Sequence, residues 1–197
     1  MITIKRATPD RLAALDSLIA RAFGDQPMVR WPLGGSDEDY PGRLTRQLDA
    51  FNEPALALGA LYEAGDGLGA AVWLSPEQGE AFGEAIAALT RTKIPELTDD
   101  GGRRFTKFWN WVDMRVPDEP LWFLDQVAVD PVHQGRGIGA ALVEFGLEQA
   151  SATQTAAFLD TSAQRNVAYY ERFGFRVVVD EDAPEGGPHI WFMRYDP

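Results

Sequence analysis

The densest chemical signal in this sequence is the run Asp130-Pro131-Val132-His133-Gln134-Gly135-Arg136-Gly137-Ile138-Gly139-Ala140. Its glycines reach backbone conformations closed to other residues and let a ligand come close to the main chain. The run feeds a predicted helix starting at Ile138, whose first N–H groups lack internal acceptors and whose dipole is positive at that end. An anion, and a diphosphate in particular, suits such a site. A tight strand-to-helix turn with no ligand is the alternative that glycines alone leave open. Gly135, Gly137 and Ala140 also satisfy the G-x-G-x-x-A pattern of dinucleotide-binding folds, with Asp160 at the distance its ribose-binding acid would occupy. That reading loses. Asp130 to Gln134, a proline among them, separate the first glycine from its strand, and little chain remains after Ala140 for further parallel strands.

The elements that must position this turn are readable on both sides of it. Leu121 to Val129 reads as a strand with one acid, Asp125, inside an apolar run. On strict alternation Asp125 shares a face with Val127 and Val129. Ile138 to Ala150 reads as a helix, Ala156 to Thr161 as a buried strand, and Arg165 to Phe173 as a short helix closed by Gly174. Phe175 to Val179 and Ile190 to Tyr195 supply two more strands. Earlier in the chain, a short strand covers the first six residues. Leu12, Leu15, Leu18 and Ile19 form a helical stripe that ends near Gly24, with Thr8-Pro9 as its opening signal. Asp25 to Gly42 reads as a loop, and Arg43 to Asn52 as a helix. Leu56 to Tyr62 and Leu68 to Leu74 flank a Gly/Asp turn and suggest an antiparallel hairpin. Helices over Pro76 to Thr90 and Asp99 to Asp113 follow. Together these predict an α/β (α+β) fold in one domain, residues 1–197, with a mixed sheet and helices on its faces.

Composition narrows the function. Lys+Arg 18 against Asp+Glu 30 leaves a formal charge of −12, and no basic cluster is visible, so nucleic acid is not an expected partner. The acidic excess favours cationic small molecules or basic peptides instead. There is no cysteine, which excludes disulfides, thiolate zinc sites and a cysteine nucleophile. Two histidines, His133 and His189, make a histidine metal site unexpected, and no metal is expected. No apolar stretch reaches the roughly 18 residues of a membrane span, and no signal-peptide core follows Met1-Ile2-Thr3-Ile4. A cytoplasmic location is the expectation.

Two blocks carry a family resemblance. Gln134, Gly137 and Gly139 meet the pattern [Gln/Arg]-x-x-Gly-x-[Gly/Ala], after a strand ending Val127-Ala128-Val129-Asp130-Pro131. Downstream, Tyr170-Glu171-Arg172-Phe173-Gly174-Phe175 is similar to a Tyr-Glu-[Lys/Arg]-x-Gly-Phe block. In this order and context the chain resembles the GNAT acyltransferase superfamily. A closer likeness is to its puromycin N-acetyltransferase-like branch. It is carried by Ala70-Ala71-Val72-Trp73-Leu74-Ser75-Pro76-Glu77, by Trp122-Phe123-Leu124, by the run from Ala157 to Asn166 and by Ala183-Pro184-Glu185-Gly186.

The resemblance implies a mostly antiparallel sheet with a splayed pair of parallel central strands, and acetyl-CoA as co-substrate. It implies that the backbone of Val127 and Val129 pairs with pantetheine. The N–H groups of Gln134, Gly135, Arg136, Gly137, Ile138, Gly139 and Ala140 would hold the pyrophosphate, with the Arg136 charge nearby. Asn166 would touch the pantetheine or thioester side, or simply cap its helix. Tyr170 would be the general acid that protonates the leaving sulfur, or else a core aromatic. Asp125 is the candidate base, with Glu63 and Asp25 as others. A β-bulge expected from the resemblance would reverse the parity of Asp125. Trp31, Tyr40, Trp73, Phe108 and Trp109 would line an apolar cleft for a small-molecule amine, with Asp25 facing its charge. A non-catalytic CoA-binding module and an acetyltransferase for protein or peptide amines are the competing readings. Monomer against homodimer is left open.

Overall fold

A computed structural model describes residues 2–197. Seven strands form one sheet in the order β1-β2-β3-β4-β5-β7-β6. They are β1 (Ile4–Arg6), β2 (Leu61–Ala64), β3 (Gly69–Leu74), β4 (Trp122–Val129), β5 (Ala157–Thr161), β6 (Arg176–Asp182) and β7 (His189–Tyr195). Every neighbouring pair is antiparallel except β4 with β5, which are parallel. The helices are α1 (Leu12–Phe23), α2 (Pro27–Leu33), α3 (Tyr40–Ala57), α4 (Gly79–Thr92), α5 (Ile94–Leu97), α6 (Arg103–Asp113), α7 (Ile138–Ala152) and α8 (Gln164–Glu171).

Helices cover both faces, so β2 and β3 are buried throughout. On one face α1 and α3 pack Leu15, Leu18, Leu44 and Leu48 against Leu61, Val72 and Ala128. On the other, α7 and α8 pack Leu142, Val143 and Tyr170 against Ala71, Trp73 and Leu159. A third cluster sets α6, through Phe108 and Val112, on Phe158 and Phe192.

The β4–β5 pair is the feature that makes a site. It is in register only at Trp122–Ala157 and Phe123–Phe158, where the Phe123 and Phe158 rings stack with centroids 6.4 Å apart. Beyond that vertex the strands part. β4 continues along β3, and β5 keeps β7 as its partner to Thr161.

Several expectations about the N-terminal part needed correction. Asp25 to Gly42 is not one loop: α2 lies within it, with Pro27 at its first turn, where a missing N–H costs nothing, and Gly34 closing it at φ +64°. Leu56 belongs to the end of α3, so the hairpin strand starts at Leu61. Between the two predicted helices after β3 there is a further short one, α5. Gly174, predicted as a left-handed cap, has φ +92°.

Candidate active site

The glycine turn is held at both ends. At its start, Asp130 accepts a 2.5 Å hydrogen bond from Arg21 of α1 and another from the Val132 N–H. The Arg21 guanidinium and then the Val132 N–H hold its carboxyl below the usual range. At its end, α7 is pressed onto β3. The Trp73 indole donates to the Leu142 carbonyl at 3.0 Å. Gly146 allows this contact, since a Cβ there would lie 2.0 Å from the indole. Trp73 is therefore core, 0% exposed, and not the acceptor-cleft residue expected.

Between these anchors the amides are free of other duties. The first backbone bond of α7 runs from Ala141 to the Gly137 carbonyl, and among the described residues none of the N–H groups from Gln134 to Ala140 donates to a backbone carbonyl across the turn. Gly137 is the residue before α7, at φ +80°, a left-handed conformation that L side chains rarely adopt. A Cβ on Gly137 would meet nothing within 4 Å, so its side opens into space. Arg136 is exposed. His133 forms the end of the one-turn helix before Gln134.

β4 presents its backbone to the gap. The Asp130 N–H donates to Leu68 beside β3 at 3.0 Å. By alternation the N–H and C=O groups of Val129 and Val127 face the other way, toward the opening left by β5. The bulge lies at Asp125. Trp73 is opposite Leu124 and Val72 opposite Gln126, which leaves Asp125 as the extra residue. Parity reverses there, as packing shows: Leu124 and Val127 both face α7, whereas Phe123 and Ala128 face α1 and α3. Asp125 thus does not share the face of Val127 and Val129 on simple alternation.

One cleft of about 1740 Å³ joins all of these parts, from the turn residues through β4 to α4 and α6. Tyr170, on α8, lines it and is 7% exposed. Burial first, then the nearby Tyr169 and Asp160, push its phenol above the ordinary value, so it stays protonated. Tyr169 points toward the turn instead: its hydroxyl would lie 3.0 Å from a Cβ on Gly139. Asn166 does not cap α8, whose N-cap is Ala163. It donates to the Thr161 hydroxyl at 2.9 Å and ties the helix to the end of β5.

Acids fill the other arm. Asp125 opens onto the cleft, yet the surrounding walls exclude enough water to raise its carboxyl to about 6, with Asp113 adding to the shift. Asp160 on β5 is raised to about 7 by burial, then by Asp125 and Asp113. Asp160 and Asp113 carry this electrostatic pattern and were missed as site residues in the sequence. Asp160 stood out in the sequence only as the acid of the rejected dinucleotide pattern, and Asp113 only as the end of a predicted helix. The other candidate bases lie elsewhere. Glu63 is 1% exposed and paired with Arg11 at 3.1 Å and Lys5 at 3.5 Å. Asp25 is exposed and does not line the cleft. Of the five aromatics expected at the acceptor, only Trp109 lines it; Phe108 and Tyr40 are core, and Trp31 packs on Phe108.

The description "Acetyltransferase (GNAT) family" belongs to the family model that matches residues 36–175. The chain is a member of that family. Its fold is shared with solved structures of low identity. A histone acetyltransferase HPA2 and related acetyltransferase from Corynebacterium glutamicum superposes with a TM-score of 0.70 at 22% identity, covering 100% of this chain and 96% of that one. Arylalkylamine N-acetyltransferase 2 from Aedes aegypti gives 0.68 at 14%, covering 99% and 98%. A Drosophila melanogaster polyamine N-acetyltransferase, described as forming N-acetylagmatine, gives 0.60 at 14%, covering 100% of both. Among the described residues no helix is long and apolar enough to cross a membrane.

Proposed function

We propose that this chain is an acetyl-CoA-dependent N-acetyltransferase that acts by direct transfer on a primary amine of a small molecule. The observation that carries the reading is a buried, protonated phenol, Tyr170, in one cleft with a free row of helix-initial amides. The residues fit the donor. The amides from Gln134 to Ala140 and the open side of Gly137 suit its diphosphate. The outward backbone of Val127 and Val129 suits pantetheine, as an added strand would pair. The family match, and the amine substrates named for the structural neighbours, support the same class. The puromycin N-acetyltransferase-like likeness, from Ala70 onward, is the finer part of this proposal.

When bound, acetyl-CoA supplies a thioester whose carbonyl carbon bonds to the amine nitrogen as the carbon–sulfur bond breaks. The acceptor amine must reach it neutral. Asp125, coupled to Asp160, takes the amine proton, and two interacting carboxyls raised to about 6 and about 7 are suited to this near neutral pH. Tyr170 gives its proton to the departing sulfur, so one proton leaves nitrogen and one arrives on sulfur. Asn166 holds Thr161 and with it the junction of β5 and α8, from which Asp160 and Tyr170 converge.

The test is thiol release from acetyl-CoA across primary amines, aminonucleosides and aminoglycosides, with amide product measured in parallel. Equimolar thiol and amide on a small amine is expected. Coenzyme binding with no thiol released by any acceptor overturns the reading in favour of a binding module. Acetylation confined to basic peptides overturns its small-molecule part.

A further inference from the structure

The three acids of the acceptor arm come from three elements: Asp113 ends α6, Asp125 is the β4 bulge, and Asp160 lies near the end of β5. All line the cleft, and none is in an ion pair among the described residues. Arg115, two residues after Asp113, is committed to Glu181 and to the face of Trp111. The arginines that line the cleft are Arg91, in the last turn of α4, and Arg165 and Arg172, within and just after the helix that carries Tyr170. Like charges left together without partners repel, so this arm gains when cations enter it.

Asp113 is an odd residue on local grounds alone. It is the last residue of α6, where the helix dipole is negative and a carboxylate is disfavoured. Four residues earlier on the same helix face stands Trp109, whose indole also lines the cleft. An aromatic face beside a carboxylate is a cation site in its own right. Among the described residues no three acidic or histidine side chains are arranged to hold one metal ion. Independently of the acids, Tyr170 is a polar side chain more than nine-tenths buried that lines this cleft. Its hydroxyl makes no hydrogen bond among the described residues, so it awaits a ligand.

We propose that the acceptor carries two cationic centres, the reacting amine at Asp125 and Asp160 and a distal ammonium or guanidinium at Asp113 and Trp109. The inference rests on the acetyl-transfer reading for which nitrogen reacts; the distal site itself does not. Asp113 then acts as a specificity residue that touches the substrate but takes no part in proton transfer. The aliphatic span between the two centres lies along Phe123, which lines the cleft between β4 and α6.

Two measurements test it on the full chain. In the first, α,ω-alkanediamines are compared with monoamines of equal length by kcat/KM at saturating acetyl-CoA. The diamine should be preferred about tenfold or more, the scale of one charge-assisted contact in a partly desolvated site. Asp113→Asn should collapse that preference to about twofold by lowering kcat/KM for the diamine far more than for the monoamine. In the second, calorimetry compares an N,N,N′,N′-tetramethyl-alkanediamine with the matching dimethylalkylamine, neither of which forms a stable amide. The dication should bind about tenfold tighter, and Asp113→Asn should erase the difference. Equal rates for the two amine classes, or an Asp113→Asn loss shared equally by both, overturn the inference while leaving acetyl transfer intact. If no amine is acetylated but the dication still binds tighter through Asp113, the distal site stands and the transfer reading falls.

Discussion

The two arms of the cleft present polar groups of opposite kinds. The arm at α7 offers main-chain amides: a left-handed Gly137, a helix start, and a strand edge freed where β4 and β5 part. The arm at α6 offers side chains, with carboxyls and an indole brought from α6, β4 and β5. Backbone recognition tolerates many side chains around it but is intolerant of lost glycines. Side-chain recognition is the reverse, and it is where a family that shares one donor can vary its acceptor. Tyr170 stands between the arms, and Tyr169 closes the floor beneath the turn.

Substitutions at each arm and at the junction separate these roles. The largest effect is expected at the junction. Tyr170→Phe should lower turnover by about 10²–10³-fold, the range of a positioned acid, while coenzyme affinity stays within about twofold. Single-turnover kinetics with parallel calorimetry reads both, and unchanged turnover would remove Tyr170 from the chemistry. At the α7 arm, Gly137→Val places a β-branched residue at φ +80° with its side chain in the open cradle. Coenzyme affinity should fall by roughly 10–100-fold, corresponding to about 1–3 kcal/mol of strain and blocked contact, with dication binding retained. Loss of both ligands together would mean that the arms are not separate.

The smallest effect is a stability change at the α6 arm. The folded-state carboxyl of Asp160 is raised to about 7 from 3.8. Between those values the unfolded chain has already ionised and the folded one has not, so stability falls as pH rises from about 4 to about 7. Asp160→Asn removes that loss. Its Tm should exceed that of the parent by about 2–4 °C at pH 8, for about 1 kcal/mol after solvent screening, and the gain should vanish near pH 4. A gain that is the same at both pH values would contradict a charge origin.

The same contrast explains what could be read in the sequence. The turn, the helix after it and the Tyr-Glu-Arg block are contiguous, so their spacing survives in one dimension. The parity of Asp125 does not survive, because a bulge is one extra residue that alternation cannot reveal. Asp113 and Asp160 meet only through the packing of α6 on β5 and β7, so no spacing between them carried a signal. Trp73 was misplaced because aromatic character alone does not separate a cleft wall from a core. Its environment is decided by Gly146, far along the chain on α7. The segment α2 was hidden by prolines and glycines that mark helix ends as readily as loops.

The central claim is that main-chain amides at the start of α7 grip the diphosphate of coenzyme A, which fixes the thioester beside Tyr170. A crystal structure of the protein with bound coenzyme A tests it most directly. Diphosphate oxygens within about 3 Å of several N–H groups between Gln134 and Ala140 are expected, with pantetheine along Val127 and Val129. Coenzyme bound at another place, or a diphosphate held by side chains with those amides facing solvent, would contradict it.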